Sequence, residues 1–187
     1  MFDAALFYAA CAAERSSILA EHGLAKGGCA LATMHRAENT DDPERLRAIM
    51  GGLDGAAKER PVILPLHPRT RAALAREGIE PEHVRFIEPV GYLDMVALES
   101  NAAVIATDSG GVQKEAYFHG VPCVTLRDET EWVELVEMGW NKLAPPGNAD
   151  IASSILAAVG SKGSEGSPYG DGRSAVRITD ILKDFGQ

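Results

Sequence analysis

The 187-residue chain has a mass of 19.9 kDa and is 45% apolar, enough for the core of one domain and too short for two full ones. Its formal charge of -9 and pI near 5.0 repel polyanions, which excludes nucleic acid and an anionic membrane surface as general partners; any phosphate must be bound locally. Three cysteines, Cys11, Cys29 and Cys123, are an odd set without C-x-x-C spacing, which fits reduced thiols in a cytoplasm rather than a disulfide framework.

The first stretch, MFDAALFYAACAAERSS, lacks a basic leader, carries Asp3 and breaks its apolar run at Glu14, so a soluble helix over residues 1–21 is expected, with Gly23 as its stop. CALATM (29–34) reads as a strand. The following DDPERLRAIMGGL reads as a helix, with Asp42 as N-cap and Pro43 at its first position. This strand, loop and helix unit recurs in PVILPL (61–66) before PRTRAALAREG, VRFI (84–87) before YLDMVALES, AAVIAT (102–107) before GVQKEAYFHG, and PCVTL (122–126) before WVELVEMG. Continuous apolar strands alternating with helices imply βαβ crossovers and a sheet covered on both faces. The fold class is therefore α/β, a doubly wound Rossmann-like parallel sheet in a single domain. GSKGSEGSPYGDG (160–172) reads as a mobile loop. A last helix from Ser174 to Phe185 carries Val176, Ile178, Ile181, Leu182 and Phe185 on an apolar stripe. The expected division is a linker helix (1–24), a core (25–159), a flexible loop (160–173) and a terminal helix (174–187).

Ligands of open parallel sheets sit beyond the carboxyl ends of the strands. Those positions hold HRAEN (35–39), HPRT (67–70), EPVGY (88–92), DSGG (108–111) and RDETE (127–131), a polar and ionisable rim. DSGG alone could be a turn with Asp108 or Ser109 capping the next helix. Its paired glycines also allow close backbone approach, and free amides at a helix start favour a phosphate there. Glu115 lies about one and a half turns further on, where a carboxylate could accept two ribose hydroxyls. His35 and Arg36 could meet a second charged group, while Glu38 could simply pair with Arg36 and His67 could merely cap its helix. His35, His67 and Asp108 could converge on zinc, but no i, i+4 pair or cysteine ligand supports a metal. Arg127 with Glu131 reads as a loop ion pair, and Trp132 and Trp140 as packing residues.

Taken together and in this order, TMHRAEN, LPLHP, DSGGVQKEA, GVPCVTLRDETEWVE and SPYGDG resemble the non-hydrolysing UDP-N-acetylglucosamine 2-epimerase family, in its C-terminal half. The T-E-W-V-E form is similar to branches acting on UDP-diacetamido-uronic acids. The resemblance implies one half of a glycosyltransferase-B-type architecture with a UDP-sugar bound in its cleft. It also implies C2 inversion by anti elimination and re-addition of UDP, with no metal or redox cofactor. Carried over, Ser109, Gly110 and Gly111 would hold the diphosphate, Glu115 the ribose, and the loop from Pro89 to Tyr92, with Val90, the uracil. His35 would lie by the phosphates as the catalytic candidate. Arg36 and His67 would look toward a second, activating nucleotide-sugar, Arg127 would serve the sugar or phosphate side, and Glu38 and Asp108 would be counted with the binding residues. The family's C2 base belongs to the other half, expected to be absent here, so the fragment is expected to bind without turnover. A homodimer or a rearranged terminal helix is also expected, from the apolar stripe and from Leu6, Phe7 and Ala10 in the first helix. The alternatives are a UDP-sugar glycosyltransferase and a standalone UDP-binding module.

Overall fold

Short apolar runs become strands at the five expected places, and a sixth strand forms where none was expected. They are β1 (Ala30–Thr33), β2 (Val62–Pro65), β3 (Arg85–Ile87), β4 (Val104–Thr107), β5 (Cys123–Thr125) and β6 (Asn141–Leu143). All neighbours pair in parallel, in the order β3-β2-β1-β4-β5-β6, the doubly wound arrangement with its reversal between β1 and β4. The computed structural model describes residues 1–185; residues 186 and 187, the end of the expected 174–187 segment, lie outside the described residues.

The inner strands β1, β2, β4 and β5 are largely apolar because each face meets its own core. Ala30, Ala32, Val62, Leu64, Val104, Ala106 and Val124 point into one, with helices α4 (Pro43–Ala57), α5 (Pro68–Glu77) and α9 (Ile151–Ala158). Leu31, Ile63, Ile105 and Cys123 point into the other, under α1 (Phe2–Arg15), α6 (Tyr92–Asn101) and α7 (Gly110–Phe118). The Asp42 carboxylate caps α4 as expected, accepting the Glu44 amide at 2.9 Å. Short α3 (Ala37–Thr40) and α8 (Val133–Glu137) turn beside the rim.

Three expectations change. The single helix over 1–21 is split into α1 and α2 (Ile18–Glu21) at Ser16, whose hydroxyl donates to Asp94 Oδ1 at 2.7 Å instead of continuing the helix. A sixth strand follows Trp140, and α9 packs against β4 and β5. Residues 160–172 have no regular structure but are tied down: Ser164 N donates to Met138 O at 2.7 Å and Tyr117 Oη to Gly166 O at 2.7 Å. Gly163 lies so close to Trp140 that an added Cβ would stand 2.4 Å from the indole. The last helix, α10 (Ser174–Asp184), buries none of its side chains, and its Ala175 amide donates to Asp3 Oδ2 at 2.8 Å.

Candidate functional site

The turns after β1, β4 and β5 are welded together by polar groups that see no solvent. Asp108 is 0% exposed, and its carboxylate accepts the amides of His35 at 3.2 Å and Arg36 at 3.0 Å and the Asn39 Nδ2 at 3.1 Å. Asp108 was expected to touch ligand; instead its oxygens are spent on the chain, and it positions the His35–Arg36 turn. Asn39 extends the weld, donating also to Leu126 O at 3.0 Å and accepting Arg45 Nε at 3.0 Å. Sequence reading passed over Asn39, although its place within HRAEN was a usable signal. Beneath them the Thr33 and Thr107 hydroxyls share a hydrogen bond of 2.6 Å.

Strand β4 then delivers the start of α7. The Ser109 amide donates to Thr107 Oγ1 at 2.9 Å, and the Ser109 hydroxyl caps the helix by accepting the Val112 amide at 3.5 Å. Gly110 and Gly111 are the first helical residues, whose amides have no intrahelical acceptor. Of the expected triplet, then, the two glycine amides have no acceptor within the helix and the serine hydroxyl can still donate, while the serine amide is taken. Trp132 does more than pack: its Nε1 donates to Gly110 O at 2.8 Å. Since a peptide is planar, this fixes the plane that also carries the Gly111 amide. The indole is steadied by Lys114, whose Nζ lies 4.1 Å from its ring and 4.2 Å from that of Tyr169.

Around this start runs a chain of alternating charges. Arg127, 6% exposed, donates from Nε to Glu38 at 3.1 Å and from Nη1 to Glu131 at 2.8 Å. Arg36 Nη2 reaches the other Glu131 oxygen at 3.4 Å. The hydrogen bond from Arg127 holds the Glu131 carboxyl below its usual range. The Arg127–Glu131 pair was expected, whereas the Glu38–Arg36 pairing was not realised: each took another partner across the rim.

On the opposite side of the α7 start, Thr33, Met34, His35, Pro65, His67, Pro89, Val90, Met95 and Val112 line a largely apolar cleft of about 190 Å³. The His35 and His67 rings meet at its mouth with centroids 5.5 Å apart. His67 also caps α5, accepting the Arg69 amide at 3.2 Å. Next to the cleft, Tyr92 Oη donates to Glu115 Oε1 at 3.4 Å, and partial burial raises the Glu115 carboxyl. Among the described residues, no three His, Cys, Asp or Glu side chains are grouped to hold a metal ion, so His35, His67 and Asp108 do not form the alternative zinc site.

This sheet order, with an open helix start and an apolar cleft at the point where the winding reverses, defines a doubly wound α/β domain of the nucleotide-binding type. The profile of the family described as UDP-N-acetylglucosamine 2-epimerase matches residues 1–183, and the chain belongs to that family. It is 46% identical over 184 residues, 97% of its length, to a UDP-2,3-diacetamido-2,3-dideoxy-D-glucuronate 2-epimerase of Pseudomonas aeruginosa, covering 50% of that relative. It is 40% identical over 159 residues, 81% of its length, to a UDP-N-acetylglucosamine 2-epimerase of Methanocaldococcus jannaschii, covering 43% of that protein. The crystal structure of the M. jannaschii enzyme in complex with UDP-GlcNAc and UDP superposes with a TM-score of 0.86 at 36% identity, over 97% of this chain and 52% of that one. The Neisseria meningitidis enzyme bound to UDP-GlcNAc gives 0.79 at 27% identity, over 98% and 53%. The chain thus spans about half the length of the relatives it matches, and the resemblance drawn from its five motifs is borne out. No helix among the described residues is long and apolar enough to cross a membrane.

Proposed function

We propose that this chain is the UDP-binding half of a UDP-acetamido-sugar 2-epimerase. The observation that carries the reading is the start of α7, where two glycine amides without intrahelical acceptors and the Ser109 hydroxyl lie together at the positive end of a helix dipole. A diphosphate fits those donors, the ribose hydroxyls fit the Glu115 carboxylate, and the uracil fits the cleft by Val90 and Tyr92. His35, held by Asp108, stands over the phosphate side as the catalytic candidate. Arg127, clamped by Glu38 and Glu131, serves the sugar or phosphate side. Arg36 and His67 face outward toward a second nucleotide-sugar. In this scheme the chain stabilises the leaving UDP while its anti elimination and re-addition invert C2. The base at C2 is supplied from elsewhere, so these residues alone bind without turnover. No metal or redox cofactor is part of the proposal.

The sugar is UDP-N-acetylglucosamine or a related UDP-acetamido sugar; the T-E-W-V-E motif and the 46% identity to the P. aeruginosa relative favour a diacetamido-uronic acid. The three cysteines are unpaired, in keeping with a reducing cytoplasm. The exposed stripe of Ile178, Ile181 and Leu182 on α10, with Leu6 and Phe7 on α1, supports a homodimer.

Calorimetric titration with UDP tests the assignment. A hydrogen bond to charged phosphate contributes about 1.5 to 3 kcal/mol, so Ser109→Ala and Glu115→Ala should each weaken binding roughly tenfold or more. Ser109→Ala also loses the α7 cap, at about 1 kcal/mol of stability, so titration belongs well below its melting temperature. Unchanged affinity in both variants removes the site. Incubation with UDP-N-acetylglucosamine in deuterated water separates the remaining readings: deuterium at C2 means a complete epimerase, transfer to an acceptor a transferase, and binding alone a UDP-binding half or module.

A further inference from the structure

Behind the proposed nucleoside site, α6 and the end of α7 meet in a second polar contact. Glu99 is 1% exposed and the His119 side chain 5%; their nearest polar atoms, Glu99 Oε2 and His119 Nε2, stand 3.9 Å apart. Both Glu99 carboxylate oxygens and His119 Nε2 have no hydrogen-bond partner among the described residues. Buried groups of this kind are rare, and each calls for an explanation.

Their place in the helices supplies one. Glu99 follows Tyr92 by seven residues along α6, and His119 follows Glu115 by four at the end of α7, so each pair shares a helix face. The helices run in the same direction, each carrying the chain back to start the next parallel strand. Two rungs therefore join them: Tyr92 to Glu115 at the rim, and Glu99 to His119 about 10 Å deeper along α6. The lower rung lies where the apolar contacts of Val96, Ala97 and Ala116 give way to polar atoms.

We infer that Glu99 and His119 are a positioning pair that faces across the α6–α7 seam, sets the spacing of α6 and α7, and thereby holds the Tyr92–Glu115 wall of the proposed nucleoside site. Burial, with a further push from Glu115, raises the Glu99 carboxyl to about 9, and burial lowers the His119 ring. Both directions leave the acid protonated and the ring neutral near neutral pH, so no charge is buried at the seam. The groups facing the pair offer no substitute. Glu115 on α7 is a like charge and Cys123 on β5 is a buried thiol. Tyr8 on α1 reaches the region only through Tyr92, and Tyr117 and Glu165 line the cavity on the outer side of His119. Ionised Glu99 would set two carboxylates against each other across the α6–α7 seam and open it.

This inference rests on the nucleotide reading, and the test separates the two. UDP is titrated into the intact chain and its Glu99→Gln variant at about pH 7 and about pH 10, either side of the Glu99 midpoint. The variant should bind within about twofold of wild type at the lower pH, and wild type should then lose roughly fivefold more affinity than the variant at the higher one. Loss of a proton by uracil itself in alkali is common to both proteins and cancels. Equal losses overturn the inference. If wild type does not bind UDP at all, the nucleotide reading fails, and the pair is judged without ligand. NMR signals of the Tyr92 ring and Glu115 carboxyl should then move with a midpoint near 9 in wild type and stay still in Glu99→Gln. Signals that move alike in both overturn the pair.

Discussion

Asp108 accepts the backbone amide of Arg36 at 3.0 Å, so the turn after β4 dictates where the turn after β1 stands. Replacing Asp108 with Ala removes the acceptor of three donors: the half-buried His35 and Arg36 amides and the buried Asn39 side-chain amide. We expect a loss of about 3 kcal/mol or more in urea unfolding, and weakened UDP binding in whatever remains folded. Wild-type stability in that variant would show that the weld is dispensable.

Trp132→Phe keeps an aromatic ring beside Lys114 and removes only the indole donor to Gly110 O. The peptide that presents the Gly111 amide then loses its anchor. Stability should fall by about 1 kcal/mol, and UDP affinity should fall about threefold or more, read by calorimetry on the folded variant. A drop in stability with affinity intact would mean that Trp132 serves the fold alone.

The buried carboxyl of Glu99 also fixes the sign of a pH effect. Its folded-state value of about 9 exceeds the ordinary 4.5, so the folded chain holds that proton more tightly than the unfolded chain does. The contribution is complete below about 4.5 and is lost as pH rises toward about 9, with a limiting slope of about 1.4 kcal/mol per pH unit. Unfolding midpoints measured across this window should decline for wild type and decline less for Glu99→Gln. Parallel curves would refute it.

The apolar stripe of α10 leads to a test of assembly. Ile178, Ile181 and Leu182 are 57%, 55% and 65% exposed, so the proposed homodimer should dissociate on dilution, and Ile181→Asp with Leu182→Asp should leave a monomer by light scattering. A wild-type monomer at all concentrations would count against the dimer.

Much of the fold was legible because each inner strand is a short apolar run closed by a polar cluster, and because Asp42–Pro43 and His67–Pro68 announce their helices. β6 was not, since Asn141–Lys142–Leu143 is a three-residue edge strand with a buried asparagine and an exposed lysine, a pattern with no apolar run to notice. The Ser16 break was hidden too, because the residue that draws its hydroxyl away, Asp94, is 78 positions distant. At the rim, residue types were readable but their direction was not. Asp108 and Glu115 are both carboxylates beside a helix start, and only the fold reveals that one is consumed by amides while the other reaches the surface next to Tyr92. Glu99 and His119 carried no signal, being ordinary members of a helix and a turn until the two helices meet.

The string of Glu38, Arg127, Glu131 and Arg36 has a consequence for selectivity. Each guanidinium there already has a carboxylate companion, so an arriving anion must trade places with Glu131 rather than fill a waiting hole. A monovalent anion such as chloride or acetate carries no more charge than the resident carboxylate and gains little by the exchange. A ligand with several negative charges can win the exchange while its other oxygens engage the nearby amides, which makes the rim a filter for polyvalent guests.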